Sequence, residues 1–191
     1  MLTPPIVSDV QRNSHLIRRW RCGRIRFSQG RFCHVQRKYF AGSVSVAQVW
    51  WQAHYGRRKD DEGWLDYHQP LGMPGFLTLD YLSCGRQAGY ATLSGLCHAL
   101  DQIAKIRRAV AIVAHVTNGR ISDRFLTRMG WQPHCESMRG RHWIRRFYDG
   151  YPDPPRRLFG SDFQDAIKID ASTFEQSVGE SPRYRNQLTC S

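Results

Sequence analysis

The run Ser83-Cys84-Gly85-Arg86-Gln87-Ala88-Gly89-Tyr90-Ala91 has the make-up of an anion cradle. It is poor in bulk, and it joins an apolar β-favouring stretch to an amphipathic helical one. Backbone N–H groups in the first turn of a helix have no intrahelical acceptor, and the dipole favours negative charge there. Gly89 and Ala91 leave room for phosphate oxygens to approach, and Arg86 adds a charge-assisted contact at the mouth. On the stretch before the loop, Asp80 reads either as a general base for an amine or as a polar group held by hydrogen bonds. Tyr81 and Tyr148 are candidate proton donors. His115 stands in an apolar run, where a lone histidine is more often a core residue than a catalyst. His134 and His142 carry the same two readings.

These groups need elements to hold them. Residues 76–82, FLTLDYL after Pro74-Gly75, read as a strand. Leu93, Leu96, Cys97, Leu100, Ile103 and Ala104 recur at three and four, which predicts a helix over 90–108. Lys105, Arg107 and Arg108 sit in its last turns, where cations suit the dipole. Residues 109–116 form a continuous apolar run, as in a strand buried on both faces. A second helix is expected over 121–129, ended by Gly130. Runs 132–138 and 141–148 flank Arg139-Gly140, a hairpin signal. The order is β-loop-α-β-α-β-β, and its first three elements predict a right-handed crossover between parallel strands. Upstream, 32–40 and 63–68 read as strands and 45–55 as a helix, with Val46, Val49, Trp50 and Ala53 on one face. Trp50, Trp51 and Trp64 are either core or substrate-pocket aromatics. Residues 57–62 read as a solvated loop.

The loop resembles that of the GNAT-type N-acetyltransferases. Members carry R/Q-x-x-G-x-G/A here, and this chain has Arg86-Gln87-Ala88-Gly89-Tyr90-Ala91. Asn118 and the run Phe125-Leu126-Thr127-Arg128-Met129-Gly130-Trp131 resemble the family's asparagine after its fifth strand and its following helix end. The likeness covers about 75 of the 191 residues. It implies an α/β fold with a mixed sheet, of GNAT-like acyl-CoA N-acyltransferase type, with acetyl-CoA as co-substrate and an amine as acceptor. It also implies cofactor contacts from Leu82, Ser83, Arg86, Gln87, Ala88, Gly89, Tyr90, Ala91 and Asn118, and catalytic roles for Asp80 and Tyr148. Two departures stand out. Many members place a tyrosine four residues before the glycine of that helix, where this chain has Leu126. Asn118 is one residue further from the glycine than is common.

Composition narrows the alternatives. No G-x-G-x-x-G or G-K-[ST] occurs, so dinucleotide and P-loop sites are excluded. The six cysteines show neither C-x-x-C nor finger spacing, so free thiols are expected, with no metal. No run nears the roughly 18 apolar residues of a membrane span, so a cytoplasmic protein with no membrane partner is expected. The net charge of +12 favours anionic partners in general. Residues 1–32 hold seven arginines against Asp9. They have little Ser content for a transit peptide and read as a poorly ordered basic arm. Residues 33–150 read as the domain, and 151–191 as a loose tail with a short helix near 163–169. Two other functions remain open at this stage. One is a catalytically degenerate CoA-binding module. The other is nucleic-acid binding through residues 12–31.

Overall fold

Period-two alternation sets the faces of the sheet. The computed structural model describes residues 4–39, 61–116, 121–135 and 139–153. Its elements run β1 (Ile6–Val7), α1 (Ser14–Arg19), β2 (Cys22–Ser28), β3 (Arg31–Lys38), β4 (Glu62–His68), β5 (Phe76–Cys84), α2 (Tyr90–Arg107), β6 (Ala111–His115), α3 (Asp123–Arg128), β7 (Gln132–Pro133) and β8 (His142–Arg146). Within β2, Gly23, Ile25 and Phe27 alternate with Arg24, Arg26 and Ser28. Gly95 of α2 lies so close to the Phe27 ring that a Cβ would collide with it, and Gly63 of β4 lies against Leu96 and Thr92 of α2. The apolar set therefore faces α2. The charged set, Arg24, Arg26 and Asp66 with it, faces the other way.

The described strands form one mixed eight-stranded sheet of order β1-β3-β2-β4-β5-β6-β8-β7. Among the described strands, only β5 and β6 pair in parallel, joined by α2. This is the predicted crossover, in the predicted place. Leu96, Leu100 and Ile103 of α2 pack over Ile25, Leu65, Leu77 and Ile112 as the core. Burying such side chains is worth about 1.5–3 kcal/mol each. Helix α3 begins at Ser122, whose hydroxyl accepts from the Phe125 amide at 3.2 Å. Gly130 then takes φ +77°, and the Trp131 amide returns to the Leu126 carbonyl, closing the helix as its sequence predicts.

Residues 6–32 are no loose arm. β1, α1, β2 and the start of β3 lie there, with Val7, Val10, Ile17, Trp20, Ile25 and Phe27 buried. Gln29-Gly30 link β2 to β3 with positive φ at both residues, the primed-turn geometry of a tight hairpin. The far boundary also moves. Tyr151 packs against Phe147 with ring centroids 4.8 Å apart and planes tilted by 31°, and it donates its hydroxyl to the Ala109 carbonyl at 2.9 Å, so this segment belongs to the fold. His115 is exposed, because β6 ends there and its side chain leaves the core. The expected helices at 45–55 and 163–169, Trp50, Trp51 and most of the 57–62 loop fall outside the described residues. Among the described residues, no helix is long and apolar enough to cross a membrane.

Candidate functional site

The parallel pair comes apart at one end. Pairing between β5 and β6 runs only from Phe76–Ala111 to Leu79–Ala114, yet β5 continues to Cys84. A bulge begins the separation. Asp66 of β4 pairs with Tyr81 and Tyr67 with Leu79, so Asp80 is the extra residue. Bulges bend a strand and re-aim a side chain. Between the parted strands lies a cavity of about 230 Å³ whose wall includes Asp80, Leu82, Cys97, Phe125, Leu126 and Trp131. Drug-sized ligands fill roughly 300–1,000 Å³, so this cavity takes a small group and not a nucleotide. Crevices at the carboxyl ends of parallel strands are where α/β proteins hold ligands.

Asp80 is the carboxylate in the wall, which also holds Tyr81, Cys97 and His115. Its Oδ1 lies 2.5 Å from Nδ1 of His68 on β4. Burial pushes the Asp80 carboxyl above the usual carboxylate range, and His68 opposes that push. An ionised Asp80 accepts a proton-bearing Nδ1, which leaves Nε2 of His68 as a lone-pair acceptor. Asp66, next to it on the same polar face, is saturated. It takes Nε and an NH2 of Arg24 at 2.6 and 2.8 Å and Lys38 Nζ at 2.7 Å. Two cations hold it, so it is structural, whereas Asp80 borders open space. Cys97 is no nucleophile, since burial pushes its thiol to about 12 and keeps it protonated near neutrality.

The loop from Gly85 to Gly89 leaves the same end of β5 and opens α2, an 18-residue helix. Nothing lies within 4 Å of a Cβ built on Gly89, so the backbone there is open to a ligand. One anionic oxygen already occupies this helix start. Asp61 Oδ1 accepts from the Gly89 amide at 3.1 Å and from the Thr92 hydroxyl at 2.6 Å. The geometry accommodates an anion's oxygen, and a phosphate group at Gly89 must displace Asp61. Arg86, Gln87, Gly89, Tyr90 and Ala91 are exposed, Ala88 is half-buried, and the Ala88 amide turns back to the Gly85 carbonyl. Tyr90 meets Phe125 of the cavity wall edge-on, with ring centroids 5.9 Å apart. The loop and the cavity are therefore neighbours.

The expected site residues separate into three groups. Asp80, Leu82, Ser83 and the run 86–91 lie at the open end. Tyr148 does not. The Phe147 amide bonds the Val110 carbonyl at the start of β6, and Tyr148 beyond it is 72% exposed. β8 runs antiparallel to β6, so its end lies at the far end of the sheet, five strand residues from His115 or roughly 16 Å. That distance removes Tyr148 from the chemistry. Asn118 lies outside the described residues. Leu126 is buried in the cavity wall, and His115 stacks on His142 at 4.5 Å beside the opening. Gly140 is glycine for a local reason, because a Cβ there would sit 2.6 Å from His115 Nε2 and its φ is +117°. His68 and Asp61 are the residues that sequence reasoning missed. Their signals were weak, a histidine ending a short strand and an aspartate in a charged run. Among the described residues, no group of three or more His, Cys, Asp or Glu side chains is placed to hold a metal ion. Neither a family model, nor a curated protein, nor a solved structure matches the chain.

Proposed function

We propose that the chain is a GNAT-like N-acyltransferase that moves an acetyl group from acetyl-CoA to an amine. One observation carries the reading. Tyr90, in the first turn of α2, touches Phe125 of the cavity wall, so the anion-accepting loop and the small cavity form one path. A ligand with phosphates at one end and a small reactive group at the other fits that path. Acetyl-CoA supplies the activated acyl group. The first-turn amides of α2 and Arg86 hold its phosphates, and Leu82, Phe125 and Leu126 exclude water from the thioester. Asp80 and His68 take the proton from the attacking amine, Asp80 orienting the ring and His68 Nε2 accepting. The amine enters from the polar face of β4 and β5, opposite α2. No protein side chain becomes acylated, in keeping with the protonated Cys97.

The test is release of CoA thiol with acetyl-CoA and a panel of alkylamines, polyamines, aminoglycosides and peptide N-termini. Asp80→Asn should lower turnover roughly a hundred- to ten-thousand-fold, the usual range for a lost general base. Turnover that is unchanged by Asp80→Asn removes the Asp80–His68 pair from the reaction. Leu126 favours a second reading. It puts an aliphatic wall where a leaving thiolate would meet a proton donor, as in a module that binds CoA without chemistry. CoA binding without thiol release on any acceptor decides for that module.

A further inference from the structure

The other end of the molecule carries a surface that acyl transfer does not use. Helix α1 packs on the last turns of α2, and two arginines fasten the contact. Arg18 Nε donates to the Ile106 carbonyl at 3.3 Å. The Arg107 guanidinium donates to the carbonyls of Ile17, Arg18 and Trp20, and also to the Gln69 side chain. Arg21 reaches the Gln69 carbonyl at 3.2 Å. Around this brace Arg12, Arg18, Arg19, Arg21, Lys105 and Arg108 are exposed. Among the described residues, no carboxylate forms an ion pair with any of the six. The one acidic residue of 4–39 is Asp9, and its Oδ1 is taken by the amides of Gln11 and Arg12.

We propose that this corner, built by α1 and the last turn of α2, binds the phosphate backbone of a nucleic acid. Six like charges on a braced surface repel one another, and a polyanion relieves that repulsion by replacing the counterions they hold. Five of the six are arginines, whose planar forks grip phosphate oxygens in pairs. Tyr148, exposed at the same end of the sheet, offers an aromatic face on which an unpaired base stacks. Leu71, Met73 and Val110 are also exposed at this end, and a lipid surface is the competing occupant that the vesicle measurement tests. The contacts are to backbone and carry no sequence preference. The surface is independent of the acyl-transfer reading.

Fluorescence anisotropy tests it, using the full chain with labelled single-stranded and duplex oligonucleotides across a range of KCl. Affinity should fall steeply and linearly on a log–log plot. Arg12→Gln, Arg19→Gln, Lys105→Gln and Arg108→Gln combined should flatten the duplex slope by about three to four units, at roughly 0.9 per lost phosphate contact. A control with the same charge loss elsewhere, Arg31→Gln, Arg124→Gln, Arg128→Gln and Arg139→Gln, should keep most of the slope. Photo-crosslinking of the wild-type chain, which needs no variant to fold, should label peptides from α1 and residues 105–108. Three results would overturn the assignment: equal losses in both quadruple variants, crosslinks confined to other faces, or binding to phosphatidylserine vesicles without binding to oligonucleotides. The acetyl-CoA thermal shift of the quadruple variant should equal that of wild type.

Discussion

The two ends of the β5–β6 pair are built on opposite principles. At the end where these strands begin, the backbone is closed. The Val110 amide bonds the Gly75 carbonyl at 2.7 Å, Tyr151 covers the Ala109 carbonyl, and Arg107 gathers the carbonyls of the α1 turn. At the end where they finish, the strands part, Asp80 bulges, and polar groups face a cavity. Buried backbone groups cost free energy when unpaired, so the closed end must satisfy each of them internally. The open end can leave positions for a ligand. Stability should therefore reside at the first end and ligand response at the second, and substitutions can separate the two.

The largest effect is expected from the brace. Arg107→Met keeps the aliphatic stem and removes the donors, leaving the carbonyls of Arg18 and Trp20 and the Gln69 side-chain oxygen without this partner, while the Ile17 carbonyl keeps the Trp20 amide. Unsatisfied polar groups cost about 1–3 kcal/mol each when buried. These groups are partly buried or exposed, so a total of about 3 kcal/mol is the upper end of what is expected, or roughly 6–12 °C in Tm for a chain of this size. Differential scanning calorimetry measures it. The acetyl-CoA response of the folded variant should survive. A variant that keeps its Tm would show that the closed end is not held by this side chain.

Next comes the loop. Gly89→Asp puts a carboxylate into open space, so Tm without ligand should change little. The stabilisation given by CoA should vanish, a loss of about 2.7 kcal/mol at a hundred times Kd. If the variant responds to CoA as wild type does, the loop is not the phosphate site.

A smaller and opposite effect is expected at Asp61. Its carboxylate caps α2 through the Gly89 amide and the Thr92 hydroxyl. Asp61→Asn keeps an acceptor but removes the charge that a phosphate must displace, so CoA should bind several-fold tighter, an effect of about 1 kcal/mol. Titration calorimetry at low salt reads it. Weaker binding in the variant would mean that Asp61 helps to hold the ligand rather than competing with it.

The same contrast explains what the sequence made legible. The elements around the open end announce themselves by period, an apolar stripe at three and four for α2 and an unbroken apolar run for β6. Both lie where predicted, within two residues. The closed end hid behind its arginines. Cys22-Gly23-Arg24-Ile25-Arg26-Phe27-Ser28 alternates apolar and cationic residues as a half-buried strand should, and Gln29-Gly30 follows as a turn. Charge count overshadowed that alternation, because arginines on an outward strand face look like arginines on a solvated arm. In the candidate site, Asp80 could be read from its strand. His68 could not, since its pairing depends on a bulge that shifts register between residues twelve apart in sequence. Tyr148 was misplaced because composition alone does not say at which end of a strand a side chain emerges.

The smallest expected effect concerns Asp80 itself, and its sign is informative. Burial raises the Asp80 carboxyl above its unfolded value, and the nearby His68 only partly offsets this. A folded-state value above the unfolded one means that the native state binds the proton more tightly. Stability from this group is therefore fully present below the unfolded pKa of about 3.9, and it is lost as pH rises through the folded value. Asp80→Asn cannot ionise and keeps an acceptor for His68 Nδ1. Urea titrations of both proteins from pH 3.5 to 7 should show wild type losing ground to the variant as pH rises. If wild type instead gains on the variant across that window, the ion pair with His68 outweighs burial. Asp80 would then be a structural partner like Asp66, and the difference between a saturated carboxylate and one kept available at the open end would disappear.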